Sequence, residues 1–135
     1  GVSLENIPVR GAEDLERAFQ RALQWRAQGL LRLAGQATVI GPATAELALK
    51  HRLPSMLLLR QDVEAGALMS YFTDHQALFR RAATYVDKIL KGSKPGELPI
   101  EQPLKFEFYV NLKTAKQIRL TMPPNLLARA DRVIR

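Results

Sequence analysis

The run Ser55-Met-Leu-Leu-Leu59 lies between Pro54 and Arg60 and shows no alternation of apolar and polar residues. A strand with one wet face alternates, whereas a strand covered on both faces does not. This stretch therefore predicts a central strand of a layered α/β sheet, with helices above and below it.

The flanking pattern agrees. Residues 12–28 predict a helix, with Leu15, Phe19, Ala22 and Leu23 on one face, acids in the first turn and Gly29 as the stop. Leu30-Leu-Arg-Leu33 predicts a short buried strand, and a helix is expected from about Thr38–Pro42 to His51. Arg60–Glu64 reads as a polar loop, and Ala67–Ser70 as a fourth short strand. A long helix is expected over 74–91, with Leu78, Ala82, Tyr85, Val86 and Ile89 as its apolar stripe and Gly92 as its stop. Residues 92–103 form a Pro- and Gly-rich linker. Lys105–Asn111 alternates cleanly and predicts a strand, followed by a short helix from Leu112 and a last helix opened by Pro123-Pro124. Asn6–Arg10 predicts a short strand, irregular or at an edge because of Pro8. Strands alternating with helices argue for an α/β layer with a parallel sheet.

The 135 residues suit one domain, and no apolar run is long enough to span a bilayer. Gly1-Val-Ser-Leu-Glu5 lacks the basic and apolar regions of a signal peptide. Cysteine is absent, which excludes disulfides and Cys-based zinc sites. The net charge of +7 raises nucleic acid as a partner, but the cations are dispersed; the nearest approach to a cluster is Arg80, Arg81, Lys88, Lys91 and Lys94, with no aromatic stacking pattern beside it. No nucleic-acid partner is expected.

Nothing in the pattern specifies catalysis. His51 reads as a helix-end residue and His75 as a helix-surface residue beside Asp74, itself a helix N-cap. No metal-ligand spacing, phosphate loop or nucleophile–base pair is present, so no catalytic residue, metal or cofactor is expected. Ligands of parallel α/β sheets sit beyond the carboxyl ends of the strands. The segments predicted there, Ala34–Thr38 and Arg60–Glu64, offer Gln36, Thr38, Arg60, Gln61 and Asp62, whose amides, hydroxyl, guanidinium and carboxylate suit a small polar solute.

Ala65-Gly-Ala-Leu-Met-Ser-Tyr71 and Leu78-Phe-Arg-Arg-Ala-Ala-Thr-Tyr-Val-Asp-Lys-Ile-Leu-Lys-Gly92 resemble the ABC-transporter substrate-binding protein family related to tryptophan/tyrosine-type binding proteins. Val9–Phe19, His51–Pro54, Lys94–Pro103, Asn111–Ala115 and Pro123–Asp131 extend the likeness along nearly the whole chain. The resemblance implies a periplasmic-binding-protein-like fold of type I, here an incomplete three-layer parallel-sheet lobe matching the C-terminal part of a two-lobe receptor. It implies a periplasmic or membrane-anchored solute-binding component that closes on a small polar or aromatic molecule and delivers it to an ABC permease. Residues 1–71 would form the lobe, 72–92 a crossover helix, and 93–135 the strand and helices that complete the lobe, with Ser70 and Tyr71 at the hinge. Phe72-Thr73 departs from the family's frequent Gly after the Tyr, Ala34–Thr38 lacks the frequent Asp, Asn or Ser, and Arg60-Gln61-Asp62 stands where a polar or acidic contact is frequent. The apolar stripe of the 74–91 helix needs cover, which predicts a homo-oligomer through that helix. A truncated, homo-oligomeric structural or interaction protein that binds no solute is the alternative.

Overall fold

Residues 1–33 and 40–135 are described by a computed structural model. Short apolar runs become five strands: β1 (Leu30–Leu31), β2 (Ser55–Leu57), β3 (Met69–Thr73), β4 (Phe106–Asn111) and β5 (Arg132–Ile134), in that spatial order. The pairs β1–β2, β2–β3 and β4–β5 are parallel, with Leu30 opposite Ser55, Met56 opposite Met69 and Tyr109 opposite Arg132. The β3–β4 pair runs the other way: Asn111 N donates to Leu68 O at 2.8 Å, and Phe108 meets the Tyr71 ring edge-on. The sheet is therefore mostly parallel, with one antiparallel joint.

The helices are α1 (Leu15–Gln24, led by a 3-10 turn at Ala12–Asp14), α2 (Gly41–Lys50), α3 (Arg60–Glu64), α4 (His75–Leu90), α5 (Leu112–Gln117) and α6 (Pro124–Leu127). The fold divides into two units, residues 1–71 with 108–135, and residues 72–107. In the first unit, successive strand residues point to opposite faces. Ala67 and Tyr109 join Leu57, Ala45 of α2 and Val63 of α3 in one cluster, while Leu68 and Val110 join Ala115 of α5 and Met122 in another. Phe19, Ala48 and Leu53 close α1 onto α2. These clusters make a helix–sheet–helix sandwich.

The end of α1 differs from the sequence expectation, and α2 and α5 end by the same device. The α1 helix stops at Gln24, well before Gly29, and Arg26 just beyond it adopts a left-handed φ of 58°. Arg52 and Arg119 do the same after α2 and α5, at φ 54° and 60°. In each case the next residue donates back across the last turn: Ala27 N to Ala22 O, Leu53 N to Ala48 O, and Leu120 N to Ala115 O. This closure satisfies orphan carbonyls in the way glycine usually does, and the arginine's charge offsets the helix dipole. Gly66 and Gly92 close α3 and α4 in the same manner, at φ 118° and 100°.

Three other expectations are corrected. Asn6–Arg10 forms no strand with the described residues; its chain is anchored by Arg10 N on Asp14 and by Glu5 on Arg21. Arg60–Glu64 is a helical turn rather than a loop, because Asp62 folds back to accept from Leu59 N at 3.0 Å. The helix opened by Pro124 ends at Leu127, and Arg132–Ile134 is an edge strand held by Asp131, whose carboxylate accepts from Phe108 N at 2.8 Å.

In the second unit, Asp74 caps α4 by accepting from Ala77 N at 3.0 Å and pairs with Lys105 at 2.8 Å. The Lys105 hydrogen bond, and then the Ala77 N–H, hold the Asp74 carboxyl below its ordinary value of 3.8; Asp74 raises Lys105 above 10.5. A depressed carboxylate stabilises above its unfolded value and loses that contribution as pH falls through the folded one, while the raised lysine loses its contribution as pH rises through its folded value. Thermal midpoints are expected to be flat across neutral pH and to fall below pH about 4. Asp74→Asn is expected to flatten that acid limb, and an unchanged limb would assign it to other carboxylates.

Candidate functional site

The carboxyl ends of β1 and β2 meet at one buried carboxylate. Asp62, with no exposed surface, accepts from Leu58 N at 3.3 Å and Leu59 N at 3.0 Å through Oδ2. The same oxygen lies 3.7 Å from Nη1 of Arg32, whose side chain is 11% exposed. Arg32 directly follows β1, and Asp62 opens the second half of α3, so the pair ties the β1 exit to the β2–α3 junction.

Gly41, the first residue of α2, completes the packing. A Cβ there would lie 2.0 Å from Asp62 Oδ1 and 2.8 Å from Arg32 Nη1. Only the absence of a side chain lets α2 begin this close to the ion pair. Gly41→Ala gains up to about 1 kcal/mol of helix propensity, but Asp62 cannot retreat without leaving Leu58 and Leu59 unbonded. The clash costs about 1–3 kcal/mol, so a net loss of stability is expected, read as a lower urea midpoint.

The residues expected to bind a ligand fare differently. Gln36 and Thr38 lie outside the described residues. Asp62 is internal. Gln61 is exposed on α3, and Arg60 pairs with Glu64 at 2.7 Å on the surface. Arg60 and Glu64 border a recess of about 140 Å³ shared with Tyr109, Arg132, Val133 and Ile134. Its lining thus combines one aromatic and two aliphatic side chains with two arginines and one glutamate. Ser70 is buried, whereas Tyr71 is half exposed and packs edge-on against Phe108 with centroids 6.4 Å apart. Sequence reasoning missed Arg32, Gly41 and Arg132. One signal was available: a charged residue inside the apolar run Leu30–Leu33.

The second unit holds an apolar groove of about 370 Å³ between α4 and residues 95–101. Arg81 grips Glu101 through Nε at 2.6 Å and through Nη2, and Tyr85 donates to Pro99 O at 2.6 Å. Burial, and then Glu101, raise the Tyr85 hydroxyl above its ordinary value. The basic cluster here is largely compensated: Arg81 pairs with Glu101, Lys91 with Asp87 and Lys94 with Glu97. His51 stacks on Phe19 and His75 meets Phe72 edge-on. Among the described residues, no group of histidines and carboxylates gathers to hold a metal, and no helix is long and apolar enough to cross a membrane.

Over residues 1–134 the sequence matches the family described as ABC transporter substrate binding protein. The chain belongs to that family. The structure resembles a conserved domain protein from Vibrio cholerae at 24% identity and TM-score 0.78, covering 90% of this chain and 41% of that one. It also resembles the ABC domain in complex with L-Trp from Streptococcus pneumoniae, at 20% identity and TM-score 0.77, with 93% and 44% of the two chains covered. A third likeness is the ligand-free, open form of a substrate-binding protein with adhesive properties from Clostridium difficile, at 16% identity and TM-score 0.60, covering 90% and 41%. At these identities the likenesses establish the fold, a periplasmic-binding-protein-like α/β architecture. The chain spans about two-fifths of the length of each of these proteins. No curated protein matches the sequence.

Proposed function

We propose that the chain is part of an extracytoplasmic solute receptor of an ABC uptake system and that the first unit carries one wall of its binding site. Family membership across residues 1–134 is the observation that carries this reading. The solute is a small polar or aromatic molecule bearing a carboxylate. Supporting this class are Arg60 and Arg132 at the recess, the Tyr109 side chain that also lines it, and the L-Trp in the structure of the Streptococcus pneumoniae protein. Gln36, Thr38 and Gln61 remain candidate contacts at the strand ends, while Asp62 supports the site from behind. Ser70 and Tyr71 serve as the hinge, since the chain leaves the first unit after Tyr71 and re-enters it at Phe108. The permease is the partner that receives the solute. The protein acts by binding and has no enzymatic step.

A thermal-shift screen with L-Trp, L-Tyr, the other amino acids and small organic acids tests this. A specific ligand at about one hundred times its Kd adds about 2.7 kcal/mol of stability, which raises the melting temperature by several degrees. A second reading draws on α4, which has no buried residue and exposes Phe79 at 75% and Leu90 at 81%. On that reading the chain is a homo-oligomeric interaction protein joined through α4. A stable dimer in sedimentation, with no stabilisation by any solute in the screen, would favour it over the receptor.

A further inference from the structure

The exit of β1, the start of α2 and the β2–α3 turn converge on Asp62. Arg32 and Gly41 stand on either side of residues 34–39 in the sequence, and both press on the same carboxylate: Arg32 through Nη1 at 3.7 Å, Gly41 with no room for a Cβ beside Oδ1. The N–H groups of Leu58 and Leu59 bind its other oxygen at 3.3 and 3.0 Å. One fully buried carboxylate thus sets the separation of the β1 exit, the α2 start and the β2–α3 turn. Thr44, one turn into α2, adds rigidity by donating to Ile40 O at 2.7 Å.

Capping the β2–α3 turn requires only an oxygen acceptor, which an asparagine supplies equally well. The negative charge has a different use. It draws in a long cation from the end of β1, and it lies beside the first turn of a ten-residue helix, where negative charge is favoured. A buried ion pair is a poor device for stability alone, since apolar or neutral replacements of the whole pair are often as stable. Its advantage is that it fixes one relative placement of the segments it joins.

We propose that Asp62, with Arg32 and Gly41, is the positioning element of the solute site: it holds the exit of β1, the start of α2 and the β2–α3 turn at the spacing that binds, without itself touching the solute. This rests on the solute-binding function proposed above. The element predicts a separation of stability from affinity. Arg32→Met alone leaves the buried Asp62 carboxylate without its neighbouring cation, and Asp62→Asn alone removes the attraction between the two; both are expected to be destabilised. The Arg32→Met/Asp62→Asn double variant keeps the acceptor for Leu58 and Leu59, removes both charges, and is expected to recover most of the wild-type melting temperature.

The test measures two quantities on the wild-type chain and the double variant: calorimetric affinity for the solute found in the thermal-shift screen, and amide hydrogen exchange. In the double variant, affinity is expected to fall by about tenfold or more, and exchange at Gly41 and Leu59 to accelerate while exchange at Val110 in the core stays constant. Wild-type affinity in the double variant overturns the proposal, whatever the exchange shows. Unchanged exchange at Gly41 and Leu59 also overturns it, and this arm needs no ligand. If the wild-type chain binds no solute at all, the receptor function fails, and the exchange arm still reports whether the pair holds the junctions.

Discussion

Arg32→Met is expected to lower the unfolding free energy by about 3–5 kcal/mol. Equilibrium urea denaturation reads this as a lower midpoint at unchanged slope. The reason is the asymmetry of a buried pair. At 3.7 Å the two charges are near the separation at which an effective dielectric of about 20 gives roughly 4 kcal/mol of attraction. Removing the cation forfeits that attraction and leaves Asp62 charged with no exposed surface. Two backbone N–H groups and the start of α2 remain to stabilise it, which is why the chain is expected to fold. The surface pairs Arg60–Glu64 and Lys91–Asp87 have shorter contacts, at 2.7 and 2.9 Å, yet water screens them. Breaking either is expected to cost no more than about 1 kcal/mol. Distance alone would rank these three pairs in the reverse order; burial decides.

Leu68→Ala is expected to cost about 2–5 kcal/mol, measured the same way. Leu68 is 1% exposed and fills the space between Val110, Ala115 and Met122 on one face of the sheet. Its backbone donates to Ser55 Oγ and accepts from Asn111 N, so the main chain at this point is held by both β2 and β4. The cavity therefore cannot close by moving the strand, and the upper part of the range is expected. Asn111 bonds to Val63 O and caps α5 at Thr114 N, which fixes the opposite wall. A loss below 1 kcal/mol would mean that α5 and α6 collapse into the space and that this face of the sandwich is softer than its packing suggests.

The strands were legible because burial on both faces leaves an unbroken apolar run, as at Ser55–Leu57, and because clean alternation marks Phe106–Asn111. The end of α1 was less legible. An arginine in the left-handed region, as at Arg26, carries no compositional signal, whereas the glycine it stands in for would have. The α3 turn was hidden because its cause is a side chain turned inward, and Asp62 looks like any loop acid until its burial is known. The fate of Arg132–Ile134 depended on a partner more than twenty residues away, since Tyr109, Val110 and Asn111 supply the ladder that turns an apolar-patterned tail into a strand. Of the segment Arg60–Asp62, the structure leaves Arg60 and Gln61 at the surface and turns Asp62 inward. The Arg32–Asp62 pair spans a sequence separation that no local pattern reports.

Solute binding is proposed on the first unit, at the recess bordered by Arg60, Tyr109 and Arg132 and at the neighbouring strand exits. Two-dimensional amide NMR of the uniformly labelled chain, titrated with the solute that stabilises it most, locates that binding directly. Resonances of Leu59, Arg60, Gln61, Tyr109 and Arg132 are expected to shift along saturable curves while those of His75–Leu90 stay in place. Shifts confined to α4 and residues 95–101 would contradict the account and place binding in the apolar groove of the second unit.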